Sequence, residues 1–214
     1  KRQDLNKHHS FSYAACKEMK ADIMFLVDSS WSIGNENFRK MKIFMKNLLT
    51  KIQIGADKTQ IGVVQFSDKT KEEFQLNRYF TQQEISDAID RMSLINEGTL
   101  TGKALNFVGQ YFTHSKGARL GAKKFLILIT DGVAQDDVRD PARILRGKDV
   151  TIFSVGVYNA NRSQLEEISG DSSLVFHVEN FDHLKALERK LIFRVCALHG
   201  KCPCYLSGLK DVSC

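Results

Sequence analysis

The sequence predicts an α/β fold in which helices cover both faces of a doubly wound, mostly parallel six-stranded sheet with one antiparallel edge strand. Two short apolar runs, Ile23–Val27 and Phe125–Thr130, contain β-branched and aromatic residues and are typical of parallel strands buried on both faces. Further strands alternate with helical segments, which is the pattern of a doubly wound sheet. A turn at Ser67–Lys69 separates two strands and indicates a hairpin, which would provide the antiparallel strand.

The remaining elements follow from the spacing of the apolar residues along the chain. The predicted strands are Ile23–Val27, Gln60–Ser67, Lys71–Leu76, Phe125–Thr130, Val150–Val157 and Leu174–Val178. The predicted helices are Asn35–Ile52, Gln82–Met92, Thr101–Thr113, Val138–Arg146, Ser163–Ser169 and Phe181–Val195. Residues 1–20 are polar and without periodicity, so we expect a leader or linker there. Residues 197–214 contain Gly and Cys, and we expect them to form a tail outside the domain at 21–196.

Composition limits the class of protein. The chain has 214 residues, of which 43% are hydrophobic and 26% charged, as expected for one globular domain with a substantial core. The net charge of +6 comes from scattered basic residues without interleaved aromatic platforms, which argues against a nucleic-acid groove and leaves weak binding to sulfated glycans open. No apolar run approaches the ~20 residues that span a bilayer, so no membrane insertion is expected. No signal peptide opens the chain, which indicates a mature protein or an excised segment.

The cysteines lie at the two ends of the chain. Cys16 precedes the first strand, and the other four follow the last predicted helix. No C-x-x-C pair indicates a zinc or redox site, so a Cys16–Cys196 disulfide in an oxidising, extracellular setting is the favoured hypothesis; five reduced thiols in a cytosolic protein are the alternative. The odd number leaves at least one cysteine unpaired or bonded to another chain, and the candidates are Cys202, Cys204 and Cys214.

Polar residues leave the first strand together at Asp28, Ser30 and Ser32. Ligand sites of parallel sheets lie beyond the carboxyl ends of the strands, which is where we expect these side chains. One carboxylate and two hydroxyls suit a hard divalent cation and supply only one negative charge. The alternative is an ordinary strand-to-helix turn in which Ser32 caps the following helix.

Two later loops are predicted to converge on Asp28. Asp131 directly follows the Phe125–Thr130 strand, so it should emerge at the same edge of the sheet. Thr99 lies in Gly98–Gly102, just before a predicted helix, where its hydroxyl could complete a ligand shell. Three separate loops would thus supply one site.

At this point the sequence resembles the von Willebrand factor type A domain, also called the integrin I-domain fold, over about Ala21–Cys196. The resemblance rests on three segments in the family's order and spacing, namely Asp28–Gly34, Thr99–Leu105 and Ile129–Gly132. It implies a metal-ion-dependent adhesion site that holds Mg²⁺, or Mn²⁺ in its place, and binds a Glu or Asp carboxylate of a partner protein. The five ligand positions of the family are matched by Asp28, Ser30, Ser32, Thr99 and Asp131.

One residue departs from the family pattern. Glu97 stands before Gly98, where many relatives have a second glycine. This extra acid would either weaken binding of an acidic ligand or, as we expect, point into solvent.

Among subfamilies, the segment from Asp28 to Phe38 is most similar to modules of non-fibrillar collagens (types VI, XII and XIV) and matrilins. This implies a secreted extracellular matrix module that binds matrix proteins or cell-surface receptors. Cys16 and Cys196 are similar to the terminal disulfide of extracellular members, and Asn161-Arg162-Ser163 is a glycosylation sequon in a predicted loop. The alternative function is a structural matrix-assembly module that acts through metal-independent protein surfaces.

Two enzymatic or nucleotide-binding alternatives fail on specific residues. Dehalogenase-type phosphatases place a second Asp two residues after the first, where this chain has Ser30, and no general base is evident. The stretch Gly98–Lys103 is one residue short of a P-loop and has Ala104 in place of its hydroxyl. We therefore expect no catalytic activity.

Overall fold

The computed structural model describes residues 19–199. The strands are β1 (Ala21–Asp28), β2 (Thr59–Phe66), β3 (Thr70–Phe74), β4 (Lys123–Thr130), β5 (Val150–Val157) and β6 (Val175–Val178). The helices are α1 (Gly34–Leu49), α2 (Gln82–Asp90), α3 (Thr101–Val108), α4 (Arg139–Arg146), α5 (Arg162–Ser169) and α6 (Leu184–Leu198). The predicted leader and tail fall outside the described residues, apart from the few that flank β1 and end α6.

All six strands form one sheet in the order β3-β2-β1-β4-β5-β6. Every neighbouring pair is parallel except β2 and β3, which are antiparallel. This confirms the predicted fold class, including the single antiparallel edge strand. Because β1 and β4 are neighbours, the loops that follow them leave the same edge of the sheet side by side.

Two apolar cores fill the space between the sheet and its helices. Side chains of β1 alternate between them, since Ile23 and Phe25 join one core and Met24 and Leu26 join the other. The first core packs α1, α2 and α6 against the sheet, and the second packs α3, α4 and α5 on the opposite face. Burial on both faces explains why Ile23–Val27 of β1 is an uninterrupted apolar run.

The largest difference from the predicted boundaries lies in the third helix. It was expected to reach Thr113 but ends at Val108, and the chain continues as a 3-10 helix at Gly109–Phe112. Glycine is a poor helix former, and 3-10 geometry commonly tightens the end of an α-helix. The last helix also starts with a 3-10 turn, at Phe181–His183, and extends to Leu198.

A buried ion pair lies at the amino-terminal end of β1, at the opposite end of the strand from Asp28. Asp22 is fully buried, and Arg119 donates to its two oxygens from Nε at 2.8 Å and from the backbone N–H at 2.6 Å. The same guanidinium also donates to the carbonyl oxygens of Ala21, Ala56 and Lys58. This buried carboxylate is therefore neutralised within the chain.

Across residues 19–199, none of the helices combines the length and the apolar character that crossing a bilayer requires.

Candidate functional site

Asp28 ends β1 with its carboxylate fully buried and held from two sides. Its Oδ1 accepts a 2.8 Å hydrogen bond from the backbone N–H of Ser30, and its Oδ2 accepts a 2.5 Å hydrogen bond from the hydroxyl of Thr130. Thr130 is the last residue of β4, the neighbouring strand. The β1–β4 pairing therefore fixes the orientation of the Asp28 side chain.

The two serines extend this arrangement to Asp131. The hydroxyl oxygens of Ser30 and Ser32 lie 3.1 Å apart, and the Ser32 hydroxyl donates to Asp131 Oδ1 at 2.9 Å. Ser32 consequently has no capping role: α1 follows Ile33 and has no side-chain cap. The capping alternative considered for Ser32 is thus wrong, because its hydroxyl faces the β4 loop instead.

Thr99 lies beside the same loop. A Cβ built on Gly132 would be 3.7 Å from the Thr99 hydroxyl oxygen, and the Thr99 side chain is almost buried. Its backbone carbonyl accepts from the N–H of Gln135 at 3.0 Å, which ties the segment before α3 to the loop after β4. The structure therefore brings all five predicted ligand residues to one edge of the sheet.

Burial dominates the electrostatics of the two carboxylates. It raises the pKa of Asp28 to about 6 despite the hydrogen bonds from Ser30 and Thr130, which oppose the shift. Burial likewise raises the pKa of Asp131, against the hydrogen bond from Ser32. Within residues 19–199 neither carboxylate forms a salt bridge, in contrast to Asp22. The site thus concentrates negative charge that no cationic side chain compensates.

The donor set determines which metals fit. In the described part of the chain no group of three or more His, Cys, Asp or Glu side chains is arranged to hold a metal ion. A site here must therefore use hydroxyl oxygens beside its two carboxylates. All-oxygen ligand sets suit hard cations such as Mg²⁺ and Mn²⁺.

The sequence led us to expect Glu97 to point into solvent, but the structure shows its carboxylate bound by two neighbouring side chains. Its Oε1 lies 2.7 Å from Lys69 Nζ, and its Oε2 accepts from the Ser67 hydroxyl at 3.3 Å. The Lys69 ammonium holds the pKa of Glu97 below its usual range. The backbone of Glu97 contacts the site instead, because its carbonyl accepts from the Trp31 N–H at 2.9 Å.

One supporting residue, Asp136, was missed by the sequence argument. Asp136 accepts from the backbone N–H groups of Gly102 at 2.9 Å and Lys103 at 2.7 Å, and so caps the first turn of α3 from a distant loop. A Cβ on Gly102 would overlap the carbonyl oxygen of Asp137. The position of Asp131 directly after an apolar strand signalled its role, but no local pattern signalled that Asp136 holds the start of α3 in place.

Of the other predicted site residues, Asn161 and Cys196 lie among the described residues. Asn161 is exposed and caps α5, since its side-chain oxygen accepts from the Gln164 N–H at 3.1 Å. Cys196 is buried on α6 and is disulfide-bonded. Cys16 lies outside the described residues, as do Cys202, Cys204 and Cys214, so the predicted pairing stays a prediction.

Comparison with known proteins settles the family. The family model of the von Willebrand factor type A domain matches residues 22–190, which include all six strands apart from Ala21, the first residue of β1, and all five predicted ligands. The chain belongs to the von Willebrand factor type A (VWA) domain family. The predicted resemblance is therefore confirmed.

The relatives of this VWA domain are matrix proteins. The human collagen alpha-5(VI) chain is 99% identical over 184 residues, which are 86% of this chain and 7% of that protein. The human collagen alpha-6(VI) chain is 63% identical over 88% of this chain and 8% of its own length, and human matrilin-1 is 34% identical over 86% and 38%. The chain thus spans a small part of its collagen relatives. Collagens and matrilins are secreted matrix proteins, which confirms the predicted extracellular location.

A solved structure gives the same fold with a metal. Proximal thread matrix protein 1 from the mussel byssus, with zinc in its MIDAS (metal-ion-dependent adhesion site) motif, has a TM-score of 0.81 and 30% identity over 84% of this chain and 49% of that chain. The two folds are therefore closely similar over most of this chain.

Proposed function

We propose that this VWA domain is an adhesion module that binds a divalent cation, Mg²⁺ or Mn²⁺, and through it an acidic side chain of a matrix protein or receptor. The proposed ligands are Asp28, Ser30, Ser32, Thr99 and Asp131. The observation that carries the proposal is the pair of buried carboxylates, Asp28 and Asp131, which lack a cationic partner among the described residues.

Asp22 provides a contrast to these two carboxylates, because it is buried but has a cationic partner. A buried carboxylate is strongly destabilising unless it is paired, and this chain pairs Asp22 with Arg119. At Asp28 the donors among the described residues are neutral groups of Ser30 and Thr130, so ionisation there leaves a charge uncompensated. A divalent cation bound at this point would supply the missing positive charge. The zinc-containing MIDAS motif of the mussel protein supports the same use of the fold.

The hydroxyl ligands favour adhesion rather than catalysis. A bound cation of this class acts as a Lewis acid that accepts an outside carboxylate as ligand. The chain's own residues orient that position: Thr130 holds Asp28, Ser32 holds Asp131, and the Gln135 contact holds Thr99. None of these residues is a histidine, and both carboxylates are assigned to the proposed cation, so the proposed arrangement leaves no free group to move a proton during a reaction. Binding is what the geometry supports.

Calorimetric titration of the EDTA-treated domain with MgCl₂ and with MnCl₂ tests the metal site. We expect one-site binding in the wild type, loss of binding in Asp28→Ala, and unchanged binding in the control Asp140→Ala, which removes an exposed carboxylate. Absence of binding in the wild type would refute the proposed site and favour the alternative, a structural module that assembles through metal-independent surfaces.

We also propose that Asn161 carries an N-linked glycan. Its cap hydrogen bond uses the side-chain oxygen and leaves the amide nitrogen, the atom that is glycosylated, exposed to solvent. Glycosylation is therefore compatible with the folded helix. Secretion from mammalian cells should yield a product whose mass falls after treatment with an amidase specific for N-glycans, and Asn161→Gln should remove that change.

A further inference from the structure

The last strand of the sheet, β6, has a free edge, and a groove runs across it. β6 (Val175–Val178) pairs with β5 alone, so among the described residues no strand lies on its other side. The groove has a volume of about 610 Å³ and is lined by residues of α6 and by Arg162, the first residue of α5. Because α5 and α6 lie on opposite faces of the sheet, a groove lined by both crosses the edge of the strand itself.

The backbone of β6 turns hydrogen-bonding groups towards this groove. The carbonyl of Val178 faces β5, where it accepts from the Tyr158 N–H at 2.9 Å. Successive residues of a strand direct their N–H and C=O groups to opposite sides, so those of His177, which lines the groove, face away from β5. Such groups on an edge strand are a template for pairing with a further strand. The groove therefore offers a backbone surface as well as side chains.

Side chains of two kinds line the groove. Its apolar surface comes from Val178, Ala186 and Leu187. Its basic residues outnumber its single acid, Glu179, and within residues 19–199 no carboxylate forms a salt bridge with Lys190. The basic residues are Arg162, His177, His183 and Lys190. The groove is thus partly apolar and has an excess of basic groups.

We propose that this groove binds an extended acidic segment of a matrix partner, which adds to β6 as a further strand. In strand addition the backbone hydrogen bonds supply affinity and alternate side chains supply specificity. β6 has 4 residues, and an extended chain advances about 3.3 Å per residue, so about four partner residues fit along it. Apolar side chains of the segment lie against α6, and its carboxylates lie against the basic residues. None of the proposed metal ligands lines the groove, so this surface does not depend on the metal site.

Charge and shape argue against three other occupants. A second copy of the domain would bring its own Arg162 and Lys190 against those of the first, which like-charge repulsion disfavours. The segments of this chain outside the described residues, 1–18 and 200–214, each contain more Lys and Arg than Asp and Glu. A sulfated glycan would satisfy the basic residues but has neither apolar side chains nor a strand-like backbone. An acidic peptide segment matches the charge, the apolar surface and the free strand edge together.

The test is an amide chemical-shift titration of the ¹⁵N-labelled domain, produced without N-glycans and kept in EDTA. The acidic peptide is Ac-Thr-Glu-Val-Glu-Val-Glu-Thr-NH₂, and the basic peptide has Lys in place of each Glu. We expect the acidic peptide to bind at least about tenfold more tightly than the basic one, and to shift the amides of β6 and α6.

Substitutions on the two sides of the groove locate the contact. Lys190 lies on α6 and Arg162 on α5, and Lys190→Glu and Arg162→Glu should each weaken binding of the acidic peptide by about three- to tenfold. Arg189→Glu is the matched control, because it makes the same change in net charge at an exposed position of α6 that does not line the groove. Its affinity for the acidic peptide should equal that of the wild type.

N-methylation of the acidic peptide tests the strand pairing separately. One derivative carries methyl groups on the amide nitrogens of its three Glu residues, and the other carries them on its two Val residues. In an added strand only alternate N–H groups face β6, so binding should be lost in one derivative and retained in the other. An equal effect of the two methylation patterns would overturn strand addition.

The remaining outcomes decide the proposal as a whole. Equal affinity for the acidic and basic peptides, or no binding of either, would overturn it. Binding that is unaffected by both Lys190→Glu and Arg162→Glu would do the same. Binding of a heparin octasaccharide at these amides, without binding of the acidic peptide, would assign the groove to a glycan instead. Because every titration is made in EDTA, failure here leaves the proposed metal site standing, and failure of the metal site leaves this result unchanged.

Discussion

The Ser32 hydroxyl donates to Asp131 Oδ1 at 2.9 Å and so joins two loops that are 99 positions apart in sequence. Through Ser30 the contact reaches the loop of Asp28, so the two acids of the site are linked by two hydroxyl groups. Each hydroxyl oxygen retains a lone pair that can coordinate a cation. The polar network thus contains four of the five proposed ligands, Asp28, Ser30, Ser32 and Asp131, and orients them in advance.

Asp28→Asn is expected to stabilise the domain in EDTA at neutral pH. The pKa of Asp28 is raised by burial from 3.8 to about 6, so the folded state binds its proton more tightly than the unfolded state does. The corresponding stabilisation is complete below pH 4 and is lost as the pH rises through about 6. The variant avoids this loss, and at pH 7.5 it should be more stable by on the order of 2–3 kcal/mol.

Urea denaturation in EDTA at pH 7.5 and at pH 4 measures this effect. The difference between variant and wild type should shrink at the lower pH, which separates Asp28 from other titrating groups. Asp140→Asn, an exposed substitution, should change the free energy of unfolding by less than about 0.5 kcal/mol. Saturating MgCl₂ should reverse the order, because only the wild type gains binding free energy. A variant less stable than the wild type in EDTA would contradict the prediction.

Arg119→Ala is expected to destabilise the domain by about 3–5 kcal/mol. The substitution leaves Asp22 buried and unpaired and removes three hydrogen bonds to carbonyl groups. Thermal and urea denaturation measure the loss. Arg143→Ala is the matched control. Both side chains of the Arg143–Asp140 ion pair are exposed, so the pair should contribute less than about 1 kcal/mol to the free energy of unfolding. Similar losses in the two variants would argue against a special role of the buried pair.

Gly102→Ala is expected to weaken metal binding as well as stability. The added methyl group would overlap the Asp137 carbonyl, so either the start of α3 or the loop after β4 must move. Overpacking of this kind costs about 1–3 kcal/mol. Because Thr99 precedes α3, calorimetry should show a lower affinity for MgCl₂.

The control for that substitution is Gly147→Ala, at the end of α4. The nearest atoms to its Cβ would be at an ordinary contact distance, and its backbone is helical. Its stability should stay equal to the wild type or rise by up to about 1 kcal/mol. Unchanged metal affinity in Gly102→Ala would show that the α3 start does not position Thr99.

Cys16→Ser is expected to lower the free energy of unfolding by about 2–5 kcal/mol. The predicted Cys16–Cys196 disulfide would join the chain before β1 to the last helix and restrict the unfolded state. Denaturation with and without a phosphine reductant measures its contribution. Cys214→Ser serves as the control and should behave like the wild type in a monomeric preparation. If the reductant left the unfolding midpoint unchanged, the predicted disulfide would be wrong.

The contrast between Asp131 and Asp136 shows how far the sequence can be interpreted. Asp131 directly follows an apolar strand next to β1, so its place at the sheet edge was predictable from local pattern alone. Asp136 lies in the loop that follows, and its role depends on meeting the N–H groups of α3, 33 and 34 positions away. Nothing in its own neighbourhood encodes that meeting.

Glu97 illustrates the same difference for charge. The sequence identified it as an extra acid near the site but could not specify its partner, because Lys69 reaches it only through the packing of two loops. The end of α3 is a milder case, since Gly109 is visible in the sequence but its effect on the helix depends on the packing that follows.

The fold class, the strand that carries Asp28 and the five residues of the candidate site are all predictable from the sequence. These follow from periodicities of two and 3.6 residues and from the rule that parallel strands present their carboxyl ends at one edge. Which side chains meet depends on the tertiary structure: Thr130 meets Asp28 and Lys69 meets Glu97 at that edge, and Arg119 meets Asp22 at the opposite end of β1. A short-range pattern fixes the direction of a side chain, whereas its partner depends on distant segments that only packing brings within hydrogen-bonding distance.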